Sequence, residues 1–139
     1  MISKKVYIAP DGLTAFIDRA HKKHVQATAF FRYFAQEQCQ LYTNVVNVNE
    51  TYMTIYNTIS PSLARDFLRA LSVSNINIIN PEPADIKAAI KILETGNSVE
   101  LTFAKALMAV TCNKKSIPQI MTFEFLHALY GLQLFYLPV

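Results

Sequence analysis

Apolar residues follow two rhythms along this chain. Val6, Tyr7 and Ile8 form a short continuous run that suits a buried strand. After a break at Pro10 to Gly12, Leu13, Phe16 and Ile17 recur at helical spacing. A strand feeding a helix is expected there, and in an open α/β sheet chemistry gathers where strands end and helices begin, which singles out Ala9 to Gly12. The polar stretch RAHKKH, 19 to 24, precedes a helix over Val25 to Gln38 with Ala27, Phe30, Phe31 and Phe34 inward. Cys39 to Thr43 reads as a second strand and Asn44 as the N-cap of a helix whose apolar face is Val45, Val48, Tyr52, Ile55, Tyr56 and Ile59.

The same alternation continues. Ser62 to Leu71 is expected to be a helix with Leu63, Phe67, Leu68 and Leu71 inward. Ile76 to Ile79 follows as a third strand, marked by alternating Asn and Ile and broken at Asn80 to Pro83. A helix over Ala84 to Thr95 directs Ile86, Ile90 and Leu93 inward and is closed by Gly96. Val99 to Cys112 is the most apolar helix, with Lys105 inside an otherwise uncharged run. Ile117 to Phe123 supplies a fourth strand, Glu124 to Leu129 a helical turn and Leu132 to Leu137 a last strand. Strands alternating with helices predict a mostly parallel sheet with helices on both faces, a three-layer α/β/α fold, in one domain over 1–139.

Composition narrows the partners. Hydrophobic residues are 52% and charged residues 17% of the chain, which excludes disorder and predicts apolar surface given over to association, a homodimer or a docking face on the helices from Val25 to Ser60. The net charge of +3 is compatible with RNA without requiring it. Arg19, Lys22 and Lys23 could touch a phosphate backbone or form a solvated turn. Cys39 and Cys112 lie too far apart for a CxxC site and read as free thiols. The start of the chain reaches Pro10, Asp11 and Gly12 before a signal-peptide core could form, and no long apolar run follows, so a cytoplasmic protein without a membrane segment is expected.

The scarcity of acids, 4 Asp and 6 Glu, makes their placement informative. Asp11 follows the first strand, Glu50 lies in the helix after the second, and Glu124 follows the fourth. At the carboxyl edge of a parallel sheet these three could gather as oxygen ligands for Mg²⁺ or Mn²⁺, with phosphodiester hydrolysis as the chemistry implied. Alternatively Asp11 caps its helix and Glu50 is merely solvated. GxSxG, GxxxxGK[ST] and GxGxxG motifs are all absent from the sequence.

The order and wording of these segments resemble the PIN domain family, in particular VapC-type toxin ribonucleases. In that family the first strand ends in an Asp followed two residues later by a hydroxyl residue; VYIAPDGLTAFID has Ala9 and Asp11 at those positions. Thr43 and Glu50 keep the family spacing of the second acid. Lys105 stands where a third acid is usual, and MTFE places Glu124 where a final Asp is usual, with Gly131 near a later family Gly and His24 in a recurrent turn. The resemblance implies a five-stranded parallel sheet of order 3-2-1-4-5, often a dimer, and RNA cleavage with Mg²⁺ or Mn²⁺. It also implies an antitoxin-like partner. Ala9 and Lys105 imply a degenerate site, acting by binding RNA or protein with no metal or a weakly held one. A cation about 4 Å from a divalent ion at an effective dielectric near 20 repels it by roughly 8 kcal/mol before screening. The alternatives are a working ribonuclease using Asp11, Glu50 and Glu124, and an unrelated α/β protein in which these acids are incidental.

Overall fold

The structure is a computed structural model that describes residues 4–95, 101–124 and 133–135. Chain order is β1 (Lys5–Ile8), α1 (Pro10–Ile17), α2 (His24–Gln36), β2 (Gln40–Asn44), α3 (Val45–Thr58), α4 (Pro61–Ser72), β3 (Asn77–Ile79), α5 (Pro83–Thr95), α6 (Phe103–Lys114), β4 (Gln119–Met121) and β5 (Gln133–Leu134). The five strands form one sheet of order β3-β2-β1-β4-β5, every pair parallel. The expected architecture and strand order are both found.

Strand alternation on β1 divides the core. Val6 and Ile8 point into a cluster with Leu13, Ala15, Ala27, Phe30, Phe34, Ile55 and Phe67, contributed by α1 to α4. Tyr7 and Ala9 point to the opposite face, where Met108 and Cys112 of α6 pack with Ile117 and Ile120. Ala89 of α5 joins Ala106 and Leu107 behind that layer. Helices thus cover both faces, as a parallel sheet requires. Aromatic rings fill the first face, with Phe30 edge-on to Phe135 at 5.4 Å and Phe34 tilted against it at 4.8 Å.

Several inward assignments need correction. On α3 the fully buried positions are Asn47, Thr51 and Ile55, while Val45, Tyr56 and Ile59 are more than 40% exposed. The helix is turned so that polar residues face in, because Asn47 accepts a hydrogen bond from the buried Tyr7 hydroxyl and Thr51 bonds the Asn47 carbonyl at 2.8 Å. Phe16, Leu68, Ile86 and Ile90 are likewise exposed, and the small Ala15, Ala64 and Ala89 occupy the buried stripes of their helices, letting those helices pack closely. Helix α6 starts later than Val99: Thr102 caps it by accepting from the Lys105 N–H at 3.2 Å. Strand β4 is shorter than Ile117 to Phe123. The expected closing role of Gly96 and the turn over 125–129 lie outside the described residues, as do the ends of the last strand expected over Leu132 to Leu137.

Asn44 is the N-cap of α3, accepting from the Asn47 N–H at 2.8 Å. At Gly12 the chain comes close to β4: a Cβ there would lie 2.7 Å from Met121 Sδ and 3.1 Å from its carbonyl oxygen. Met121 is fully buried and has little room to yield. Gly12→Ala is therefore expected to destabilise the fold by about 1–2 kcal/mol in urea denaturation, overpacking outweighing the roughly 1 kcal/mol gain in helix propensity. Combined with Met121→Val, it should cost less than the sum of the two changes.

Candidate functional site

The carboxyl ends of β1, β2 and β4 open into a small cavity of about 60 Å³, lined by Ala9, Asp11, Asn47, Glu50, Lys105, Thr122 and Glu124 among others. It has room for about two water molecules. Each lining residue arrives there for a local reason. Pro10 at the first position of α1 ends β1 and starts the helix at once, placing Asp11 in the first turn, where a carboxylate suits the helix dipole. Ala9, only 4% exposed, donates its N–H to the Met121 carbonyl at 3.1 Å, continuing the β1–β4 pairing to the cavity floor.

Asp11 is held on all sides. Its Oδ1 accepts from the Gly12 N–H at 3.0 Å and its Oδ2 from the Phe123 N–H at 2.6 Å, while the Thr122 hydroxyl bridges both oxygens at 2.9 Å. Three donor hydrogens thus face the carboxylate, the single Thr122 hydroxyl proton being shared between its two oxygens. Burial pushes its pKa up, against the pull of the Phe123 and Thr122 hydrogen bonds and with a smaller contribution from Glu124.

Glu50, itself exposed, is reached through the buried Tyr7 and Asn47. The Tyr7 hydroxyl donates to Asn47 Oδ1, and Asn47 Nδ2 donates to Glu50 Oε2 at 3.3 Å. Burial raises the Tyr7 pKa far above the ordinary range, so the phenol stays protonated and serves as donor. Beside it, Asn44 Nδ2 donates to Thr111 Oγ1 at 3.3 Å, and Thr111 to the Leu107 carbonyl at 2.9 Å, tying β2 to α6. Lys105, at the third position of α6, extends into the same cavity with Nζ 3.4 Å from Glu124 Oε2.

Asp11, Glu50, Glu124, Ala9 and Lys105 are thus brought together. Arg19, Lys22 and Lys23 do not line the cavity: α1, 8 residues or about 12 Å long, carries the chain away from it first. The His24 Nδ1–H donates to the Ala15 carbonyl at 2.9 Å and fastens α2 to α1. Burial pushes the Cys112 thiol up to about 12, which leaves it unreactive. Asn47, Tyr7, Thr111 and Thr122 were not anticipated. Asn44, Asn47 and Glu50, three apart, did carry a signal, since that spacing stacks side chains on one helix face.

No protein-family model matches the chain, and no curated protein matches it in sequence. Solved structures do match. VapC20 of Mycobacterium tuberculosis, a Sarcin-Ricin loop cleaving toxin, superposes with a TM-score of 0.76 at 16% identity, over 86% of this chain and 89% of that one. FitAcB of Neisseria gonorrhoeae superposes with a TM-score of 0.63 at 13% identity, over 94% of this chain and 96% of that one. The chain has the PIN-like fold of these two structures. No helix among the described residues is long and apolar enough to cross a membrane.

The Asp11 contacts generate a signed expectation. A carboxyl whose folded pKa is raised contributes stability that is complete below its unfolded value, near 3.9, and declines as pH rises through the folded value. Asp11→Ala, which strands the Thr122 hydroxyl and the Phe123 N–H, should cost about 1–3 kcal/mol. The difference from wild type should shrink as pH rises through that window, as read by urea denaturation at several pH values. A constant difference would contradict the burial argument.

Proposed function

We propose that this chain is a PIN-fold relative of the VapC-type metal-dependent ribonucleases whose cavity no longer cuts RNA, and that it acts by binding, in the first place to an antitoxin-like protein. The observation that carries this reading is the Lys105 ammonium 3.4 Å from Glu124 in the cavity where acids would be needed. Magnesium and manganese take several oxygen ligands and keep part of their water. The residues present do not fit such an ion. Ala9 offers no ligand, Asp11 is engaged by the Gly12 and Phe123 N–H groups and the Thr122 hydroxyl, and Glu124 is paired with a cation. Among the described residues no group of three His, Cys, Asp or Glu is arranged to hold a metal.

A protein partner is supported by an apolar cleft on the other side of α1, lined by Phe16, Ile17, Phe31, Phe67, Leu71 and Ile76. Similarity to a VapC toxin favours an antitoxin-like occupant. The exposed Val45, Met53, Tyr56 and Ile59 of α3 support association between copies, since apolar groups left on a small domain gain by leaving water. RNA is the secondary ligand, with Arg19, Lys22 and Lys23 as its contacts.

An active ribonuclease using Asp11, Glu50 and Glu124 is the second reading, favoured by the presence of all three around one cavity. Incubation of the protein with a mixed RNA pool and manganese separates the two. The binding reading expects no products above a no-protein control, and manganese-dependent cleavage that Glu50→Gln abolishes would establish the enzyme. Light scattering at high concentration is expected to give the mass of a dimer. A strict monomer that recovers no partner from cells would count against the association surfaces.

A further inference from the structure

Lys105 sits where its own helix disfavours it. It occupies the third position of α6, and the amino end of a helix carries a positive partial charge that repels cations. Its backbone N–H is already used by the Thr102 cap, so nothing in the helix itself rewards the side chain's charge. What faces it is the cavity, with the carboxylates of Asp11, Glu50 and Glu124 against this single cationic side chain among the described lining residues. Glu124 approaches to 3.4 Å, and about two thirds of the Lys105 side chain is withdrawn from solvent.

We infer that Lys105 is a built-in counter-ion. Its ammonium takes the place among the cavity carboxylates that a divalent cation would otherwise fill, so the cavity excludes Mn²⁺ and Mg²⁺ and stays folded without them. This rests on the reading that the cavity does not cut RNA, and adds that, beside the ligand missing at Ala9 and the engaged Asp11, the Lys105 charge keeps a divalent ion from Glu50 and Glu124. The ammonium lies 3.4 Å from Glu124 in the cavity that Asp11 and Glu50 also line, and offsets their negative charge as a metal would. A lysine does so without open coordination positions, and therefore cannot activate a water. Exchanging Lys105 for a carboxylate removes the repulsion and adds a ligand in one step, which converts the cavity into a divalent-cation site.

The test uses the full chain and Mn²⁺ alone, following loss of the free-ion electron paramagnetic resonance signal and the thermal midpoint. Wild type should leave the signal and midpoint unchanged at millimolar manganese. Lys105→Asp should bind, and at ten times its dissociation constant its midpoint should rise by about 4 °C. Ala9→Asp in the same chain should tighten binding further. Glu124→Gln placed in the Lys105→Asp background should abolish the gain, which ties it to this cavity. If Ala9→Asp fails to fold, because it buries a charge, Lys105→Asp alone decides. Wild-type binding at micromolar manganese overturns the inference, as does a folded Lys105→Asp protein that binds none. Either result without RNA cleavage by wild type leaves the binding reading standing, whereas wild-type cleavage removes that reading itself.

Discussion

The carboxylate of Asp11 fixes the junction on which the cavity depends. Through the Thr122 hydroxyl and the Phe123 N–H it joins the first turn of α1 to the end of β4, two segments 111 residues apart in the chain. The Ala9 N–H to the Met121 carbonyl and the close approach at Gly12 press the same two segments together. Parallel strands whose ends are bonded in this way cannot slide past one another. The side chains beyond those ends, Glu124 above all, inherit their positions from that restraint. Asp11 accordingly serves as a strut, even though as an acid at a strand end it has the appearance of a ligand.

A second restraint acts from below. Tyr7 is buried and stays protonated, and its hydroxyl draws Asn47 inward. That contact turns α3 so that Glu50, one helical turn further on, meets the cavity while Val45, Tyr56 and Ile59 meet solvent. One buried hydrogen bond therefore links the position of an acid to the exposure of an apolar surface. On this account the two features are coupled: a packing that buried the apolar face of α3 would take Glu50 out of the cavity.

Much of the fold could be read from residue pattern. Parallel pairing followed from apolar runs alternating with amphipathic stretches, and the Asn44 cap from its position before Val45. The strand order came from the resemblance, since periodicity alone cannot rank strands within a sheet. Helix faces were read less well. Leu68, Ile86 and Ile90 were assigned inward on hydrophobicity, whereas Ala64 and Ala89 are the residues that let α4 and α5 approach their neighbours. The cavity was legible in part: Glu50 and Lys105 could be placed from local wording, because each sits near the start of a recognisable helix. The Thr122 contact to Asp11 could not, since nothing local announces a hydroxyl donor so distant in the chain.

Charge balance around the cavity is the claim that organises this account. A PIN-type sheet brings acids to one edge, and the energetic problem of holding them together can be met by a metal, by protonation or by a fixed cation. On this account the fixed cation is Lys105, whose ammonium lies 3.4 Å from Glu124. Anomalous diffraction from crystals of the unmodified protein soaked in manganese tests this most directly. The account predicts no anomalous peak in the cavity and the Lys105 ammonium beside Glu124. A manganese peak bonded to Glu50 and Glu124 oxygens, with Lys105 swung into solvent, would contradict it.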